Sequence, residues 1–208
     1  MPDLFDIAQR LEEVNARNWN MAEIEERFSR LVQNGTDGKT IEPAKIKNDR
    51  VAIIERVRLR AEEYCYLTRN CAKGSATALF EEFGLGNMEM IRGLAAFPGI
   101  GMSGGICGPV SGGLLAIGLY FSSPDIMNHD TPAAYIQSRV FLDRFAAALG
   151  SLYCPDIQKR LLGKYYDPMA SVENMKEYFT SSARNNCTVA PGIGAAIAAG
   201  IIIDSMEG

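Results

Sequence analysis

Apolar residues recur along this chain at intervals of three and four, and no five-residue window alternates cleanly at period two. A helix repeats its faces every 3.6 residues and a strand every two, so this pattern selects helices. Residues 3–15 place Leu4, Ile7, Ala8 and Leu11 at helical spacing, and residues 21–32 do the same with Ile24, Phe28 and Leu31. A long helix over 49–69 carries Val51, Ile54, Val57, Ala61 and Tyr64 on one face. Further helices are expected over 72–83, 88–96, 109–121, 132–149, 156–162, 171–184 and 191–206. Gly84 and Gly150 stand just past helix ends, Pro109 falls in a first turn and Ser171 reads as an N-cap. No βαβ pattern is present. The fold class is all-α: a compact multi-helix domain with an N-terminal helical arm. Residues 35–47 carry Gly, Thr, Asp and Pro without period and read as a linker. The arm and linker then span 1–47 and the cysteine-containing helical domain 48–208.

The 208 residues are 47% apolar and 22% charged, an ordinary globular balance, with a net charge of -4. No Lys/Arg block rises above the background, which excludes the electrostatic footprint of a nucleic-acid partner. Arg58 and Arg60, with Glu62-Glu63 and Glu81-Glu82, read as solvated helix faces. The N-terminus lacks a basic region followed by an apolar one, so no secretory or twin-arginine leader is expected there. Two apolar stretches, 110–121 and 189–203, fall below the roughly 18 residues of a spanning helix and read as buried helices, with no membrane span. A cytoplasmic location is the expectation.

Five cysteines remain to be explained: Cys65, Cys71, Cys107, Cys154 and Cys187. The odd count and the expected compartment disfavour a structural disulfide framework. The bland alternative is that each is a small buried hydrophobe. Their placement argues otherwise. Cys71, Cys107, Cys154 and Cys187 each lie just before an expected helix, while Cys65 ends the long one. A helix start offers unpaired N–H groups and the positive end of the dipole, which favour thiolate over thiol. Thiolate is the form that binds metal and attacks disulfides. Gly99, Gly101, Gly104, Gly105 and Gly108 crowd the approach to Cys107, and Ala72 and Gly74 thin the first turn after Cys71. Glycine lets backbone come close to a bulky cofactor, so Gly74, Gly101, Gly104, Gly105 and Gly108 are candidate cofactor-binding positions. A tight helix crossing without a cofactor is the alternative.

These residues carry a resemblance. Cys65, then Asn70-Cys71-Ala72-Lys73-Gly74, then Cys107 within Gly104-Gly105-Ile106-Cys107-Gly108, then Cys154 make the chain similar, over about 50–205, to the C_GCAxxG_C_C family, described as redox-active. Asn70 replaces the glycine of the family name, a mild change, since Asn also caps helices and tolerates left-handed backbone. The arm lies outside the resemblance and is a candidate dimerisation or docking element. A similar domain occurs in split-Soret cytochrome c in association with an iron–sulfur site. The resemblance therefore implies an iron–sulfur cluster, 2Fe–2S favoured, on Cys65, Cys71, Cys107 and Cys154, with Cys187 as an alternative ligand or nearby redox thiol. It implies an electron-transfer protein or subunit serving a partner oxidoreductase. A homo-oligomer, a dimer, is the expectation for its assembly. No Cys-x-x-Cys-His is present, so no c-type haem is attached.

Other readings stay open. In a metal-free thiol–disulfide protein, Cys71 attacks and Cys65 or Cys107 resolves. The absence of Cys-x-x-Cys counts against this, and against zinc. A metal-free binding or assembly partner is the third. Gly99-x-Gly101-x-x-Gly104 matches a dinucleotide fingerprint but lacks its strand. His129, the single histidine, reads as surface. Tyr64, Tyr66, Tyr153, Tyr165 and Tyr166 read as core rather than pocket lining.

Overall fold

A computed structural model describes residues 6–36, 43–127 and 132–206, with the side chains of 43–48 left undescribed. His129 lies outside the described residues. Helices α1 (Ile7–Ala16) and α2 (Met21–Asn34) form the arm. The core follows as α3 (Pro43–Thr68), α4 (Cys71–Phe83), α5 (Met88–Gly93), a 3-10 turn (Leu94–Ala96), the single irregular turn α6 (Gly99–Met102), α7 (Gly108–Phe121), α8 (Pro132–Leu149), α9 (Cys154–Leu162), α10 (Val172–Thr180), α11 (Ala183–Cys187) and α12 (Val189–Met206). Among the described residues there is no strand beyond one isolated antiparallel bridge, Ile106 to Tyr153. The all-α expectation holds.

The protein is built around α12. Every residue from Val189 to Ile203 is buried, enclosed by α3, α4, α7 and α8. A helix apolar on all sides needs such a sheath. With α11 it forms one helical stretch, Ala183–Met206, long and apolar enough by length and composition to cross a membrane. The expectation that this segment is too short to span therefore fails on length; its burial is as expected.

Small residues let the sheath close. A Cβ on Gly74 would stand 2.7 Å from the backbone nitrogen of Cys65, so α4 crosses α3 with backbone nearly touching backbone. A Cβ on Gly112 would stand 2.5 Å from the Ala72 carbonyl oxygen, which closes α7 on α4 in the same way.

Several boundaries differ from expectation. Helix α3 begins at Pro43, inside the expected linker, so the division at 47/48 falls within a helix. The segment expected as one helix over 171–184 breaks at Ser181-Ser182, and Ser171 caps α10 as expected, accepting from the Asn174 N–H at 3.1 Å.

The face of α3 that carries Arg58 and Glu62 is not solvated. Both are 1% exposed. Arg58 pairs with Glu62 and Glu55, Arg17 reaches Glu62 at 2.7 Å, and Glu62 fits because position 192 of α12 is glycine. Buried charges persist only when paired. The arm supplies the cover: Arg27 pairs with Glu63, Trp19 stacks on Tyr66 at 4.2 Å, and Val14 and Ile24 join the main apolar cluster. Helical periodicity assigns polar residues to solvent, so a polar stripe covered by an arm is misread. Glu81 and Glu82 are likewise engaged, by the Tyr64 hydroxyl at 2.6 Å and by Arg56.

Glu62→Ala, which removes the carboxylate partner of Arg17 and one of the close partners of buried Arg58, is expected to lower stability by about 3 kcal/mol in urea unfolding. Gly112→Ala is expected to cost about 1–3 kcal/mol by the same measurement, because a backbone oxygen cannot give way as a side chain can.

Candidate functional site

Four chain segments deliver sulfur to one place, the last of them α11 with Cys187. Helix α3 ends beside Arg69, which has a left-handed φ of 53°, and the chain turns sharply into α4. Asn70 fixes that turn: its side-chain oxygen accepts from the Lys73 N–H at 3.0 Å and its amide donates to the Ala95 carbonyl at 3.1 Å. Cys65 and Cys71 thus flank a single corner.

The second segment is the glycine-rich loop. Gly99, Ile100, Gly101, Met102 and Gly104 all have φ between 48° and 81°. For Ile100 and Met102 this is strained backbone. The loop closes on itself when the Gly105 N–H donates to the Gly99 carbonyl at 2.9 Å.

The isolated bridge then joins this loop to the third segment. Cys107 N–H donates to the Leu152 carbonyl at 2.8 Å, and Cys154 N–H donates to the Gly105 carbonyl at 2.9 Å. These two bonds set Cys107 and Cys154 side by side. A Cβ on Gly108 would collide with the Cys71 sulfur, so that glycine lets Cys71 reach Cys107. Cys107 lies within hydrogen-bonding reach of both Cys71 and Cys154.

All five cysteines, none in a disulfide, line one cavity of about 340 Å³. Tyr165, Tyr166 and Tyr178 share its wall, with methionines and with Arg69 and Arg184. Cys187 ends α11, two residues before α12, rather than preceding a helix from a loop. The Tyr178 hydroxyl hydrogen-bonds to it.

Of the glycine positions singled out, Gly104 lines the cavity and Gly108 seats the Cys71 sulfur. Gly74 faces Cys65 at the α3–α4 crossing, Gly105 packs on Ile100, and Gly101 faces open space. Tyr64 is core, Tyr66 packs on the arm, and Tyr153 is 55% exposed; Tyr165 and Tyr166, read as core, are cavity walls. Arg69, Gln158, Tyr178 and Arg184 escape the sequence reading, since nothing in their local pattern marks them.

The thiols are not electrostatically alike. Cys154 is held below the usual thiol range, first by the Cys107 thiol donating to it and also by the Gln158 amide at 3.5 Å, against burial that pushes the other way. Cys107 is pushed up by serving Cys154 and Cys71 as a proton donor, and by burial. Burial is the first cause at Cys65 and at Cys187, the latter raised to about 12. The expectation that helix starts lower these thiols is therefore corrected for Cys107: holding its proton toward Cys154 and Cys71, with burial added, outweighs the dipole. Cys187 is not at a helix start in the structure.

Among the described residues, no group of three or more His, Cys, Asp and Glu side chains converges as on one metal ion. The sulfurs share a cavity without forming a closed mononuclear site.

A family model whose description reads "Putative redox-active protein (C_GCAxxG_C_C)" matches residues 69–201, more than half of the chain. The chain belongs to the C_GCAxxG_C_C family. No curated protein and no solved structure matches it. The matched span contains Cys71, Cys107, Cys154 and Cys187 and leaves out Cys65. If Asn70-Cys71-Ala72 is taken as the start of the family's GCAxxG, the closing glycine falls at Ser75 rather than Gly74, a second departure besides Asn70. Ser75 is fully buried and its hydroxyl donates to the Pro191 carbonyl at 3.3 Å, packing α4 on α12.

Two pH-dependent outcomes follow. Alkylation below pH 8 is expected to reach Cys154 first, and Cys107→Ala or Gln158→Leu to move its pH midpoint upward, as read by mass spectrometry. Cys65, Cys107 and Cys187 have native values raised above those of the unfolded chain. Their contribution to stability is full below about pH 8.5, the ordinary thiol value, and is lost as pH rises toward 12. Urea midpoints measured across that window are expected to fall.

Proposed function

We propose that the five-cysteine cavity is the redox centre of this protein and that it holds an iron–sulfur cluster, 2Fe–2S, through Cys71, Cys107, Cys154 and Cys187, serving a partner oxidoreductase. The observation that carries the reading is that every cysteine of the chain lines the same cavity. The donor set is all thiol, which suits iron–sulfur ligation. A 2Fe–2S core takes two thiolates on each iron, so it does not require three donors on a single ion. Cys187 takes the place first given to Cys65 because the family match includes the one and not the other.

Such a cluster supplies one-electron transfer when bound. This chain's part is to present the thiolates and tune them. Gln158 and Tyr178 donate toward Cys154 and Cys187, stabilising negative charge on sulfur. The wall around them is mostly apolar, and Cys65 stands by as an additional buried thiol.

One observation favours a second reading, a metal-free thiol–disulfide pair. Cys154, the thiol shifted toward thiolate, lies within hydrogen-bonding reach of Cys107. Attack of Cys154 on an external disulfide would expel one thiolate, and Cys107 would then displace the second, leaving a Cys107–Cys154 disulfide. Two electrons pass to the external disulfide, which leaves as two thiols.

The test is anaerobic reconstitution with iron and sulfide. A brown protein carrying about two irons per chain is expected, retained in Cys65→Ser and lost in Ser variants of Cys71, Cys107, Cys154 or Cys187. A colourless, iron-free product overturns the cluster. Reversible loss of the Cys107 and Cys154 thiols in that iron-free protein would establish the second reading instead.

A further inference from the structure

The cavity holds more than sulfur needs. Its volume of about 340 Å³ falls in the range of small-molecule sites, about 300–1,000 Å³. Its wall combines apolar surface with two cations and, among the described residues, no carboxylate. The cations are Arg69 and Arg184. Neither forms an ion pair among the described residues: Arg69 lies 5.4 Å over the Phe179 ring, and Arg184 lies 4.0 Å over the Tyr66 ring. One Arg184 guanidinium nitrogen donates to the Tyr66 carbonyl, while its Nε is buried without a partner. Arg184 is half-buried, whereas the buried arginines Arg58 and Arg27 are matched to carboxylates; Arg69 stands exposed at the cavity's edge. Two guanidinium groups without a carboxylate on the wall of a cavity, one of them with a buried Nε lacking a partner, are a standing attraction for an anion.

The mouth adds a second feature. Met102, Met169, Met175 and Phe179 line the cavity and are also 40–68% exposed. Methionine and aromatic side chains form an adaptable apolar surface suited to a flat organic body.

We propose that this cavity is a binding site for a small organic anion, an aromatic or otherwise flat apolar body bearing a carboxylate or similar group. The anionic group lies between Arg69 and Arg184, and the body lies against Met169, Met175 and Phe179. This deepens the redox reading by naming what the same cavity admits beside the sulfurs, and it stands on the arginines and the rim, not on the cluster.

The test is calorimetric titration of the protein as purified with 2-naphthoate and with its neutral match, 2-naphthamide, the iron content being measured in the same sample. The acid is expected to bind at least tenfold more tightly than the amide. Arg69→Gln, a change at an exposed side chain, is expected to erase most of that difference while leaving the affinity for the amide unchanged, and Arg69→Lys to restore part of it. Equal affinity for acid and amide, or no binding of either, overturns the proposal. So does a preference for the acid that survives Arg69→Gln and Arg184→Gln. A sample that takes up no iron on anaerobic reconstitution and still discriminates acid from amide would sink the cluster and leave the anion site standing.

Discussion

The close crossing of α4 with α3 on one side and α7 on the other is the constraint from which the rest follows. Gly74 and Gly112 allow backbone to approach backbone where any side chain would hold the helices apart. Close approach brings the end of α3 and the starts of α4 and α7 to one corner, and that corner carries Cys65, Cys71 and Cys107. Helix α12 runs through the middle with every position from Val189 to Ile203 enclosed. Packing and chemistry are therefore one arrangement here: the contacts that stabilise the core also set the separation of the sulfurs.

Within that corner, a short piece of β-type pairing does what helices cannot. Two backbone bonds across the Ile106–Tyr153 bridge place Cys107 and Cys154 in register although they are far apart in sequence. Their chemical difference then arises from who donates to whom. Cys107 gives its proton toward Cys154 and becomes the harder to ionise, while Cys154 gains a second donor in Gln158 and becomes the easier. Burial, which both share in part, cannot produce that asymmetry alone.

Much of the fold was legible because long helices announce themselves by period and by punctuation. Helix α8 spans the residues read for it, and the stop at Gly84 and the cap at Ser171 fall where expected. The errors have physical causes. Arg58 and Glu62 were read as solvated because periodicity cannot see an arm folding over a polar stripe. Lowered thiols are expected at four helix starts because a helix start is visible in sequence, while burial and the donation of one thiol to another are not. The cysteines were legible as a set, through the loops that precede them. Arg69, Gln158, Tyr178 and Arg184 were not, since each reaches the cavity from a segment whose own pattern says only helix or turn.

The arm has a consequence for where this protein can be cut. The family match begins at residue 69, after both arm helices and α3. A chain trimmed to the matched residues would lose the wall that Ala61, Tyr64 and Cys65 form against α4, and the carboxylate of Glu62 that fills the notch at Gly192. Two helices rich in alanine and glycine would then meet water along faces built for contact. Trp19 packs on Tyr66, Arg17 pairs with Glu62, and Asn15 donates to the side chain of Asn186, the residue beside Cys187. In this member the segment preceding the family motif thus supplies Cys65 to the cavity and the wall against which α4 and α12 pack, and the smallest unit able to keep that core closed is larger than the motif that names it.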